Sequence, residues 1–305
     1  MVGIVSTYTK RLSKYLGDRT LEEIVACRPG ELLAYKKGAT EPKVVRDDNL
    51  TEGFWRDLAS ALANRERRSF DEDNPHLSVM LDGAHRAAFS IGPSVSNRVA
   101  VAIRLFRPTK FEYSDFGFND NLSEEFKEKV RSGANILISG ATSSGKTSLL
   151  RRAAKDIPLT DRLITVEDVR ELVDLPHTNI TQYTIFEGQS QATKGADYAS
   201  VMDIAMRMRP DRILAGELRI DNSWSVMRLL NTGHRGFMAT LHAESCRGAL
   251  LAIETMIGMA GRPNQGVTAF LEEMIDLVIQ VKRDPISGKR VVSEVLDLSQ
   301  LRSGN

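Results

Sequence analysis

Ile136-Leu137-Ile138-Ser139-Gly140-Ala141-Thr142-Ser143-Ser144-Gly145-Lys146-Thr147-Ser148-Leu149-Leu150 is the stretch on which the fold turns. Residues 140–147 satisfy the pattern G-x-x-x-x-G-K-[ST] at every fixed position. Ile136, Leu137 and Ile138 read as a short apolar strand, and the run from Ser148 to Ala154 reads as a helix. Gly140 and Gly145 let the backbone wrap tightly, so that successive N–H groups point inward at a phosphate. The helix start adds partial positive charge at the same place. Gly140, Ala141, Thr142, Ser143, Ser144, Gly145, Lys146, Thr147 and Ser148 are therefore expected to cradle the phosphates of ATP. Lys146 can bridge the β- and γ-phosphates, and the Thr147 hydroxyl can ligate Mg²⁺.

Outward from the loop, short apolar strands alternate with helices. Asn135–Ser139, Leu163–Val166 and Arg212–Ala215 fit a parallel sheet covered on both faces. Phosphoryl transfer also needs carboxylates to hold the metal's water and to orient the attacking water. Two strands end in them: Leu163–Val166 leads into Glu167 and Asp168, with Glu171 beyond, and Arg212–Gly216 leads into Glu217. Acids at the carboxyl ends of parallel strands fall where ligands bind in open α/β sheets. Gly216 stands where many phosphate-loop ATPases carry Asp, so Glu217 is the one carboxylate of its segment. His234 and His242 lie too far apart, with no third ligand nearby, to read as a metal site.

The first third has a different texture. Ile4, Val5, Tyr8, Leu12, Tyr15 and Leu16 line one side of a helix, among Lys10, Arg11 and Lys14. Packing on the first domain is the preferred reading of this segment, and a membrane-surface role the alternative. Pro29-Gly30 marks a turn before a strand through Leu32–Tyr35. Phe54, Trp55, Leu58 and Leu62 have helical spacing. Leu77, Val79 and Leu81 alternate up to an Asp82-Gly83 hairpin turn before Ala87, Phe89 and Ile91, and Val99 to Leu105 alternate again. The expected organisation is an α+β domain over 1–108, a linker over 109–120 and an α/β ATPase domain over 121–305.

The 305 residues have room for two such cores. At 42% hydrophobic and 27% charged the chain has globular composition. Lys and Arg number 41 against 40 Asp and Glu, a net +1, so no global basic field is available to hold nucleic acid. No apolar run is long enough to span a bilayer, and no signal peptide is visible. The two isolated cysteines, Cys27 and Cys246, match no metal spacing. Cytoplasm is the expected compartment.

The order of the phosphate loop, Ile164–Leu172, Arg207–Arg219 and His234–His242 resembles the Walker A, Asp box, Walker B and His box of the traffic ATPases. These power type II and type IV secretion, conjugation and type IV pili. A glycine before the Walker B glutamate is a habit of that family. Cys27–Glu31 and the run from Leu81 to Arg104 resemble the N-terminal domain of the VirB-type secretion branch. Pilus and type II secretion motors stand as alternatives, although two cysteines cannot build the four-cysteine zinc insertion of type II enzymes.

The resemblance implies a RecA-like ATPase domain and a homohexamer at the cytoplasmic face of an inner-membrane secretion apparatus, with peripheral membrane association compatible. It makes Glu217 and Glu167 the acids near the γ-phosphate, Glu217 being the preferred water-activating residue. It makes His234 and His242 the His box. Arg104 and Arg107 would neutralise phosphate charge, with Arg207, Arg209 and Arg219 as further candidates. A RecA-like nucleic-acid motor is the first rival, but no basic stripe or aromatic groove for single strands is visible. A nucleotide-binding scaffold without hydrolysis is the second, and the intact Lys146, Thr147 and Glu217 speak against it.

Overall fold

The computed structural model describes residues 2–36, 39, 41–82, 85–106, 110–185, 197–284 and 286–303. The chain divides into two compact units, the first built on Met1–Pro108 and the second on Thr109–Ile185 with Ala196–Asn305.

Among the described residues of the first unit, α1 (Val2–Leu16) and α2 (Glu52–Arg65) accompany six strands: β1 (Leu21–Arg28), β2 (Glu31–Lys36), β3 (Lys43–Arg46), β4 (His76–Met80), β5 (Arg86–Ile91) and β6 (Val99–Arg104). The sheet runs β3-β2-β1-β6-β5-β4, antiparallel throughout. Gly30 makes the β1–β2 turn at φ 75°, a conformation that a side chain disfavours. Thr51 caps α2 by accepting the Phe54 N–H, and Phe54, Trp55, Leu58 and Leu62 turn into the core. Val5, Leu12 and Tyr15 of α1 are buried in that same core, so the helix's apolar face is spent on packing. Along β6, Val99, Val101 and Ile103 point inward while Ala100, Ala102 and Arg104 take the other face. That alternation accommodates a charge at Arg104, which is exposed. Arg107 and the Gly83 half of the expected hairpin turn lie outside the described residues.

The second unit begins with a 3-10 turn, Tyr113–Phe116, and α3 (Asp120–Arg131). Then follow β7 (Ile136–Ser139), α4 (Lys146–Ala154), β8 (Leu163–Glu167), β9 (Ile180–Thr184), α5 (Tyr198–Arg207), β10 (Arg212–Ala215) and α6 (Ser223–Asn231). It closes with β11 (Met238–Leu241), α7 (Cys246–Met259), α8 (Val267–Met274), β12 (Leu277–Arg283), β13 (Arg290–Asp297) and α9 (Leu298–Ser303). The sheet order is β13-β12-β7-β11-β10-β8-β9. Every neighbouring pair is parallel except β12–β13, so the expected parallel sheet carries an antiparallel edge. β7, β8, β10 and β11 are almost entirely buried, with apolar clusters on both faces.

The stretch expected as a linker is corrected in part. Tyr113, Phe116 and Phe118 are buried among Phe126, Ile136 and Leu150, and the Tyr113 hydroxyl donates to Asp156 at 2.6 Å. Each such aromatic contributes roughly 1.5–3 kcal/mol when withdrawn from water, which fastens this segment to the second core.

Candidate active site

The loop between β7 and α4 is formed by backbone geometry that its sequence selects. Gly140 sits at φ 155°, and a Cβ there would lie 2.2 Å from the Val281 carbonyl. Gly145 sits at φ 103°, where a Cβ would strike the Arg290 side chain at 2.5 Å. Ser143 also takes a left-handed conformation, φ 61°, in a position a glycine would hold with less strain. Gly140 N–H donates to the Leu241 carbonyl, which ties the start of the loop to the end of β11.

Lys146 opens α4 and is only 6% exposed. Its ammonium donates to the Gly140 and Ala141 carbonyls at 2.8 and 3.0 Å, and lies 3.3 Å from His242 Nδ1. Burial pushes its pKa down, opposed by the negative charges of Glu217 and Glu171. His242 follows β11 directly and reaches Glu217 Oε1 with Nε2 at 2.8 Å. An imidazole carrying its proton on Nε2 satisfies both contacts. The structure thus brings Lys146, His242 and Glu217 into one chain of contacts, although they are far apart in sequence.

Glu217 stands on a fixed piece of backbone. Gly216 N–H donates to Val166, Thr240 Oγ1 donates to the Gly216 carbonyl, and Leu218 N–H donates to Thr240. Asn222 closes the segment by accepting Arg219 N–H and donating to the Glu217 carbonyl. The second carboxylate oxygen, Oε2, accepts from Arg219 Nε at 2.7 Å, and Arg219 also meets Asp168 Oδ2 at 2.7 Å.

Glu167 occupies a different environment. It is 1% exposed, Oε1 accepts the N–H groups of Glu171 and Leu172 at 2.9 Å, and Oε2 has no partner among the described residues. Burial outweighs the two backbone bonds and raises its pKa from 4.5 to about 7. The sign follows from linkage. Between about pH 4.5 and 7 the folded protein keeps a proton that the unfolded chain has released, so this group's stabilisation is full below that window and is lost as pH rises through it. Glu167→Gln, which retains the oxygen facing the two amides, is expected to gain on the wild type by about 3 kcal/mol across that window. Thermal unfolding of both proteins from pH 5 to 8 checks this, and a flat difference would mean that Glu167 is ionised throughout.

Other expected residues lie elsewhere. His234 bonds the Thr232 hydroxyl in the turn after α6, at the opposite end of β11 from His242. Arg207 and Arg209 are exposed at and just beyond the end of α5. Arg219 serves two carboxylates. A residue not foreseen is Arg290, at the start of β13. Its side chain lies against Gly145 and its guanidinium stacks on Phe111 at 4.6 Å. Its Nε is buried with no hydrogen-bond partner among the described residues, and burial and Arg283 push its pKa down. Ser144 Oγ is likewise buried and unpartnered among the described residues. Two orphaned polar groups beside a glycine loop and a buried lysine fit an anionic ligand.

The comparisons with known proteins agree with this geometry. A model of the family described as "Type II/IV secretion system protein" matches residues 58–295. The type IV secretion system protein VirB11 of Bartonella henselae is 31% identical, across 96% of this chain and 93% of its own length. The conjugal transfer protein TrbB of Rhizobium radiobacter is 28% identical, across 95% and 87%. Among solved structures, the VirB11 ATPase of Brucella suis in complex with sulphate has a TM-score of 0.52 at 24% identity, covering 99% of this chain and 96% of that one. The pilus retraction motor PilT with bound ADP has a TM-score of 0.69 at 21% identity, covering 96% and 87%. These two likenesses speak to fold, which is that of the secretion ATPases. With most of its length matched by the family model and nearly all of it by a relative above 30% identity, this chain belongs to the type II/IV secretion system protein family.

Proposed function

We propose that the chain is an ATP-hydrolysing motor that drives assembly of, or transport through, a type IV secretion system. The contact chain from Lys146 through His242 to Glu217 carries this reading, because it sets a phosphate cation and a carboxylate together at the carboxyl ends of β7, β11 and β10. The loop amides and Lys146 would hold the phosphates, and Arg290 and Ser144 would supply further donors. Thr147 would hold Mg²⁺, which when bound neutralises charge on the phosphate oxygens. Glu217 would accept a proton from the attacking water as the bond from the γ-phosphorus to the bridging oxygen breaks, giving ADP and phosphate. Residues 121–305 would form the hydrolysing domain and residues 1–108 the domain moved by the nucleotide cycle. A homohexamer bound to the cytoplasmic side of a secretion apparatus fits the branch of the family that the relatives occupy.

Among the described residues no helix is long and apolar enough to cross a membrane. Phosphate release by the purified protein, stimulated by lipid or apparatus components rather than by single-stranded DNA, tests the reading. Arg104 supplies a second test, of the moved domain. As a γ-phosphate sensor it would lose roughly 1.5–3 kcal/mol on truncation, so Arg104→Ala should weaken ATP binding about ten- to a hundredfold while ADP affinity changes little. Equal losses for both nucleotides, measured by titration, would remove Arg104 from the γ-phosphate.

A further inference from the structure

β8 and β10 are parallel neighbours in the register Ile164↔Ile213, Thr165↔Leu214 and Val166↔Ala215. Continued by two residues, that register sets Asp168 level with Glu217. Two carboxylates just past the ends of adjacent strands, at one height, repel each other in a half-buried site. Arg219 lies between them, with its Nε 2.7 Å from Glu217 Oε2 and its NH2 2.7 Å from Asp168 Oδ2. The other Asp168 oxygen is engaged by the Val169 N–H at 2.9 Å, which fixes the carboxylate that anchors the guanidinium.

Glu217 therefore has two partners of different kinds. His242, on Oε1, is shared with Lys146, and Lys146 must give up its present contacts when phosphate enters the loop. Arg219, on Oε2, is anchored by Asp168, which belongs to neither the loop nor α4. We infer that Arg219 is a positioning residue that holds Glu217 for water activation, with Asp168 as its anchor, rather than a cation for the phosphates. The inference rests on the hydrolytic role of Glu217 proposed above. The fork shape of the guanidinium matters, because one planar group meets both acids at once and an ammonium cannot do so in the same geometry.

The test is steady-state and single-turnover ATP hydrolysis by the full chain in its assembled form. Arg219→Gln is expected to lower kcat about ten- to a hundredfold, as loss of an orienting partner does elsewhere, with KM changed by less than about threefold. Arg219→Lys should recover part of the rate. Asp168→Asn should lower kcat in the wild type but have little further effect in the Arg219→Gln background, since the pair acts as a unit. A rise in KM with kcat retained would make Arg219 a nucleotide contact and overturn the inference. Additive losses, or an unchanged kcat in Arg219→Gln, would overturn it as well. If Arg219→Gln fails to fold, Arg219→Lys with Asp168→Asn decides the same question. A wild type without turnover would instead remove the functional reading on which the inference stands.

Discussion

Lys146→Ala is expected to abolish measurable ATP turnover, a loss on the order of a thousandfold in kcat/KM. The lysine is nearly inaccessible, and its ammonium is pointed into the loop by the Gly140 and Ala141 carbonyls. Removing it deletes the loop's own cation, the group that would meet the phosphates once they displace the two carbonyls, so both nucleotide affinity and the chemical step should suffer. Nucleotide titration and single-turnover phosphate release separate those losses. Turnover within about tenfold of the wild type would take the phosphates away from this loop.

Glu217→Gln should divide the same two measurements. The amide is nearly isosteric and its oxygen can still accept one of the bonds from His242 and Arg219, so ATP binding should survive. It cannot accept a proton from water, and kcat should fall by roughly a hundred- to a thousandfold. Glu167→Gln is the necessary comparison. Its carboxyl is turned into the backbone of Glu171 and Leu172, and burial raises its pKa to about 7. A fully active Glu217→Gln beside an inactive Glu167→Gln would exchange the two assignments.

How much of this was legible in the sequence depends on how local each feature is. The loop was readable residue by residue, because the glycines, lysine and threonine do their work within a single turn of chain. β7, β8 and β10 were readable as short, mostly apolar runs. β11 was hidden, since Met238–Leu241 is a short apolar run between two conspicuous histidines. β9 has no fully buried residue, and β13 is half-buried at the sheet edge, so neither has the apolar run of a central strand. The aromatic residues of 111–118 were signals of packing that a linker reading passed over. The meeting of Lys146, His242, Glu217, Arg219 and Asp168 depends on strand order and register, which no single segment encodes. Arg290 needed the β12–β13 hairpin to bring it back over Gly145.

The same register has a consequence for ancestry. It places Glu167 level with Gly216, where a Cβ at 216 would lie only 3.1 Å from Glu167 Cγ. The two positions therefore crowd one another: a side chain at 216 needs Glu167 to give way by a few tenths of an ångström, or a smaller residue at 167. A side chain at 216 fits best beside a shortened residue at 167, so the two should tend to change together along a lineage. Recombination between distant relatives with a breakpoint inside 168–215 would split the pair, leaving the two strand ends either crowded or underfilled. Viable chimaeras should inherit both strand ends from one parent.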